Sequence, residues 1–190
     1  MTEEVEIIMG GGINSPAGTP LNIFGTIAHH PRLLKRFMNF AGMFLNKGLL
    51  PDREREVVIL RVGWNCQSVY EFGQHTLIGQ RVGLSLKEID ALTKDVSQHD
   101  WNNRDRLLIE MSDELCSGDC VSALTWESLQ THWNEAELVE LARDRARVAI
   151  VFSESMKERI PTFDAGDSEF FYLPIPDGEA GKSASVLSQA

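Results

Sequence analysis

The stretch from Arg53 to about Asn65 limits the possible folds most, because Val57, Val58, Ile59, Leu60, Val62 and Trp64 cover most of the circumference of the helix it forms. A helix with one apolar stripe can lie on a surface, but one that is apolar nearly all round has to be enclosed by other elements. The rest of the chain supplies enclosing helices. After a Gly/Pro-rich leader from Gly10 to Pro20, an apolar run from Ile23 to Ile27 ends at His29-His30-Pro31, where the proline is placed to open a helix. Leu33, Leu34, Phe37, Met38, Phe40, Ala41, Phe44 and Leu45 then recur at helical steps until Gly48, and Pro51-Asp52 restart the pattern. A break near Asn65 to Ser68 leads into a helix over Tyr70 to Val82. Ser85 with Glu88 forms a capping box that opens Ser85 to Thr93, with Leu86, Ile89 and Leu92 expected inward. Another helix starts near Asn102 with Leu107, Leu108, Met111 and Leu115 as its stripe, and Gly118 ends it. Ser122 to His132 follows with Leu124, Trp126, Leu129 and Trp133 as anchors. The last helix runs from Asn134 to Ile160, before Pro161, and carries Leu138, Leu141, Val148, Ala149, Phe152 and Met156. No stretch alternates polar and apolar residues long enough to make a strand, so the fold class is all-α with short connections.

At 190 residues the chain is expected to hold one main domain, long enough to bury roughly 70% of its unfolded surface without a disulfide or metal. The boundaries read from composition are a leader at 1–22, a helical domain at 23–161 and a tail at 162–190. The tail is rich in Gly, Ser, Pro and acids, but contains one apolar patch, Phe170 to Ile175. It either docks, on this chain or on a neighbour, or stays disordered. A formal charge of −10 and the lack of a basic patch exclude nucleic acid as an expected partner. No apolar run approaches the ~20 residues of a membrane span. The acidic start, without a signal-like apolar segment, makes a cytoplasmic location the expectation. Cys66, Cys116 and Cys120 are read as reduced thiols. Cys116 and Cys120 are four apart, but no further Cys or His stands at ligand spacing, so no metal is expected.

Chemistry concentrates in Tyr70-Glu71-Phe72-Gly73-Gln74-His75. Glu71 and His75 are four apart, so on a helix they sit about 40° apart around the axis and one turn up. A carboxylate and an imidazole at that spacing can share a proton.

Three segments together carry a family resemblance: Ile27-Ala28-His29-His30-Pro31, Arg55-Glu56-Val57-Val58-Ile59-Leu60-Arg61-Val62, and Tyr70-Glu71-Phe72-Gly73-Gln74-His75, followed by a Gly-Leu-Ser helix start at Gly83. In this order they resemble the carboxymuconolactone decarboxylase family, whose superfamily also holds the alkyl hydroperoxidase D proteins. The resemblance covers about Phe24 to Ile160. It implies an all-α, alkyl hydroperoxidase D-like helical bundle that assembles as a homotrimer or hexamer, with sites near subunit contacts. The redox branch of the superfamily uses a Glu, a Cys twelve residues on, a second Cys three later and a His four after that; here those positions hold Glu56, Ser68, Glu71 and His75. Cys66 lies two residues before the first thiol position, and on a helix such an offset turns a side chain by about 200°. The Tyr-Glu-Phe and His pattern matches the decarboxylase branch, in which Glu replaces the second Cys. Ser68 departs from that branch too, which leaves the substrate open.

The resemblance and the residue types together imply a cofactor-free lyase that acts on a small acid or lactone. His75, Glu71 and Glu56 are the expected catalytic groups, with His75 held by Glu71 or Glu56. Loss of carbon dioxide needs an electron sink, a proton for carbon and a hold on the carboxylate. Burial beside Phe72 and Trp64 is expected to raise a carboxyl pKa and to lower that of an unpaired His. Substrate contacts are expected at His30, Ser68, Tyr70 and Arg145. Arg145 falls on the apolar stripe of the last helix, where a guanidinium either clamps a carboxylate or snorkels to an interface. Simpler readings stand beside these: Glu71 and His75 as a packing pair, Glu56 as the partner of an Arg, His29 and His30 as caps, and Tyr70 as core. The competing functions are peroxide or disulfide reduction of the hydroperoxidase D type, and ligand binding without catalysis.

Overall fold

The computed structural model describes residues 22–118 and 120–150, apart from the side chains of Asn22, 44–47 and 143–150. The expected tail, all but the last residue of the expected leader, and the end of the last helix beyond residue 150 lie outside them. Among the described residues there are eight α-helices and no strand. These are α1 (Asn22–Ile27), α2 (Pro31–Lys47), α3 (Asp52–Asn65), α4 (Val69–Arg81), α5 (Leu86–Ala91), α6 (Asn103–Gly118), α7 (Ala123–Gln130) and α8 (Glu135–Ile150). They fall into two compact units, divided between Gly48 and Leu49.

In the first unit α1 and α2 share a small core of Phe24, Ile27, Ala28 and Leu34, with the Phe24 and Phe37 rings 6.4 Å apart. Pro31 opens α2 as expected. His30 is its N-cap, and the ring Nδ1 accepts from Leu33 N at 3.3 Å. Of the apolar residues expected on this helix, Leu34 and Ala41 are buried, whereas Leu33 and Phe40 are exposed.

The second unit is built around α3, whose residues Arg55 to Gly63 are all buried. The helix packs against α4, α6 and α8, and each fully buried Val, Leu or Ile contributes roughly 1.5–3 kcal/mol. Polar anchors fix it at both ends. Glu140 of α8 accepts from Leu49 N and Leu50 N just ahead of the helix. Arg61 makes a two-pronged pair with Asp113 of α6, at 2.6 and 2.8 Å, and donates to the carbonyls of Leu92 and Lys94. Arg53 joins Asp105 of α6 to Glu88 of α5.

Expected anchors on α7 and an expected inward residue on α5 are exposed instead. Leu124 and Trp126 of α7 are exposed, and Thr125 is buried between them. Glu114 explains this, because it accepts from Ser122 N, Ser122 Oγ and Thr125 Oγ1 and so fixes the rotation of the short helix. In α5 the expected capping box forms and Ile89 is buried, but Leu86, in the first turn, is exposed.

Both helices that matter for the site end in the same way. At the end of α3, Gln67 N donates to Trp64 O and Ser68 N to Gly63 O; at the end of α4, Gly83 N donates to Gln80 O and Leu84 N to Gly79 O. This is the Schellman pattern, which requires a left-handed residue after the cap. Gly83 meets the requirement with φ +100°, and Gln67 adopts φ +55° despite its side chain. A left-handed residue with a Cβ costs roughly 1–2 kcal/mol. Gly83→Ala should therefore lower unfolding free energy in urea by about 1 kcal/mol, and Gln67→Gly should raise it by about 0.5–1 kcal/mol. Equal stability of Gly83→Ala and the parent would contradict the left-handed cap.

Candidate active site

Along α4 the buried residues Glu71, His75 and Gly79 follow the buried N-cap residue Ser68 at steps of three, four and four, which places them on one helix face. That face meets α3 closely. A Cβ on Gly79 would lie 3.3 Å from Leu60 Cδ1 and 3.0 Å from Leu84 Cδ1, so only a residue without one fits there easily. One turn toward the N-terminus of α4, at His75, the contact between the helices becomes polar.

The three residues expected to be catalytic come together. His75 Nδ1 lies 2.6 Å from Oε2 of Glu56, and His75 Nε2 lies 3.3 Å from Oε1 of Glu71. Glu56 is completely buried, and Glu71 and His75 are each 5% exposed. The expectation of a lowered His pKa applied to an unpaired ring, and this ring is doubly paired. Burial does push it down, but the hydrogen bonds and charges of Glu56 and Glu71 outweigh burial and raise it to about 9. At neutral pH the ring is an imidazolium that donates from both nitrogens, one to each carboxylate.

Four further residues are expected to contact substrate. Ser68 is buried at the N-cap of α4, and its hydroxyl makes no capping bond. Tyr70 is half-buried near the start of α4. His30 belongs to the other unit, where it is exposed and caps α2. Arg145 lies on α8, and its side chain is outside the described set.

One participant carried no role in the sequence reading. Arg55 Nε donates to Glu56 Oε1 at 3.3 Å and Nη1 donates to Asp52 Oδ1 at 2.8 Å. Glu56 therefore has both an Arg partner and a His partner. The available signal was the position of Arg55 at the start of the run that the apolar pattern marks as enclosed. Among the described residues no group of three or more His, Cys, Asp or Glu side chains is arranged to hold a metal ion.

A solved structure described as an alkylhydroperoxidase AhpD core, an uncharacterized peroxidase-related protein from Ralstonia eutropha JMP134, superposes with a TM-score of 0.71. It is 21% identical, and the match covers 90% of this chain and 89% of that one. The protein thus has the alkyl hydroperoxidase D core fold. The model of the carboxymuconolactone decarboxylase family matches residues 31–113, the segment that contains Glu56, Glu71 and His75. No curated protein matched the sequence.

A folded-state pKa near 9 against 6.5 in the unfolded chain means that protonation of His75 favours folding. This stabilisation is complete below about pH 6.5 and is lost as pH rises through about 9. The ring should therefore titrate near pH 9 by NMR. Between those limits the parent should lose stability relative to His75→Gln by a few kcal/mol. A ring that titrates at or below 6.5 would contradict the double pairing.

Proposed function

We propose that the protein is a cofactor-free carboxy-lyase that decarboxylates a small carboxylated lactone or keto acid by general acid/base catalysis. The observation that carries this reading is the buried imidazolium held between Glu56 and Glu71, on the scaffold of the carboxymuconolactone decarboxylase family. When the carbon–carbon bond to the carboxylate breaks, carbon dioxide leaves and the electron pair delocalises into a neighbouring carbonyl. The carbon then takes up one proton, so each turnover consumes one proton overall.

The arrangement supports a division of labour. Both nitrogens of His75 are engaged, so a proton leaving Nε2 passes to Glu71, and the Glu71 carboxyl delivers it to carbon. Glu56, on the opposite nitrogen and without exposure, orients the ring and stabilises its charged form. Ser68, one turn before Glu71 on the same face, is the nearest candidate for a substrate contact, with Tyr70, His30 and Arg145 as further ones. The assembly that goes with this reading is a homotrimer or hexamer.

Disulfide-based peroxide reduction is the competing reading, and the description of the similar Ralstonia chain favours it. Ser68 and Glu71 occupy the places where its two thiols would stand. A thiol-dependent peroxide assay separates the two activities.

In a screen of small lactone and keto acids for carbon dioxide release, His75→Ala and Glu71→Gln should each lower kcat by about 10²–10⁴-fold with the melting transition retained. Unchanged turnover in His75→Ala would overturn the assignment. Arg145→Met distinguishes the two roles open to that residue: a raised KM with intact assembly supports a carboxylate clamp, and loss of assembly supports an interface.

A further inference from the structure

We propose that the acidic and apolar segment at residues 3–9 docks on the exposed face of α2 of its own chain. This surface is separate from the Glu56–His75–Glu71 site, and the proposal does not depend on the lyase reading.

The buried side of α2 is defined by Leu34 and Ala41, with Phe37 and Met38 half-buried beside them. Leu33, Arg36, Phe40 and Met43 follow one another at steps of three, four and three, which at 100° per residue places them along another side of the helix. Leu33 and Met43 are each 50% exposed, and Phe40 is 40% exposed. The stripe thus presents apolar side chains with a guanidinium set among them.

The charge on this helix is one-sided. Arg32, Lys35, Arg36 and Lys47 are its only charged residues, in a chain whose net charge is −10. Arg32, Lys35 and Arg36 stand in or next to the first turn, where the positive end of the helix dipole disfavours cations and favours anions. The ion pairs among the described residues all lie outside α2.

An occupant complementary to this face combines carboxylates with apolar groups. Glu3-Glu4-Val5-Glu6-Ile7-Ile8-Met9 has that composition: three acids to meet Arg32, Lys35 and Arg36, and four apolar side chains to meet Leu33, Phe40 and Met43.

Connectivity favours the same segment. It joins α1 through residues 10–21, which include four Gly and two Pro, and α1 lies against α2, with the Phe24 ring 6.4 Å from that of Phe37. A tether of that length spans about 20 Å, and the stripe from Leu33 to Met43 is about 15 Å long. Tethering at this range supplies a local concentration of roughly millimolar, so a weak contact suffices. The apolar patch at 170–175 is also flanked by acids, but it follows α8, which belongs to the other unit.

The test is methyl NMR of the full chain with labelled Ile, Leu and Met. Cross-peaks are expected from Ile7, Ile8 or Met9 to Leu33 and Met43. Ile7→Ser/Ile8→Ser should lose them and shift the Leu33 and Met43 methyls, whereas Phe170→Ser/Phe171→Ser should leave both unchanged. Arg36→Glu should release the segment, and adding Glu3→Lys, Glu4→Lys and Glu6→Lys to it should restore the cross-peaks. None of these substitutions touches the buried side of α2, so the melting transition should be retained and a lost cross-peak reports docking. Absence of the cross-peaks in the folded parent would overturn the proposal, as would cross-peaks that survive Arg36→Glu unchanged. Methyl shifts produced by the Phe170→Ser/Phe171→Ser variant would identify the tail as the occupant and overturn it. Cross-peaks between separately labelled chains refolded together would identify a second copy as the source and overturn it as well.

Discussion

Everything in the larger unit depends on enclosing a helix that carries charge within its buried length. From Arg55 to Gly63 no side chain of α3 reaches solvent freely, and that stretch contains two guanidiniums and a carboxylate. Apolar burial supplies the drive to enclose it. The charges decide which neighbours can do the enclosing, because an unpaired ion in that environment would cost several kcal/mol. Asp113 on α6 and the carbonyls after α5 meet Arg61, and His75 on α4 meets Glu56. The apolar residues make α3 central, and the ions fix its rotation against each neighbour.

The same enclosure gives the site its chemical character. In water a Glu–His–Glu chain would exchange partners with solvent, and its hydrogen bonds would contribute little. Buried to 5% exposure or less, they become charge-assisted bonds in a low-dielectric setting, where each strengthens its neighbour. The imidazolium is thus retained well above its ordinary range. The pair that flanks the ring holds its proton firmly.

Much of this was legible in the residues, for physical reasons that can be named. Local signals set helix order: Pro31, the Ser85–Glu88 box and Gly83 act within one turn and made the boundaries readable. The all-round apolar pattern identified α3 as central, and the four-residue spacing identified Glu71 and His75 as neighbours. Contacts across helices were harder. That His75 Nδ1 faces Glu56 depends on the crossing of α3 and α4, which no spacing within either helix determines, so only family resemblance linked Glu56 to the ring. The outward turn of Leu124 and Trp126 depends on Glu114, eleven residues before Thr125. The short 3₁₀ turn at Val96–Gln98, held by Asp95, has no apolar period to betray it.

The joint between α3 and α4 has a further consequence for how this chain can change. Only Cys66, Gln67 and Ser68 separate the two helices, and Schellman hydrogen bonds lock the joint. Glu56 and His75 are therefore held in a fixed count along the chain, like two marks on a folded ruler. One residue added or removed between them would rotate the faces past one another by about 100°, and no compensating slack is available. Between these two residues only substitution is compatible with keeping the site.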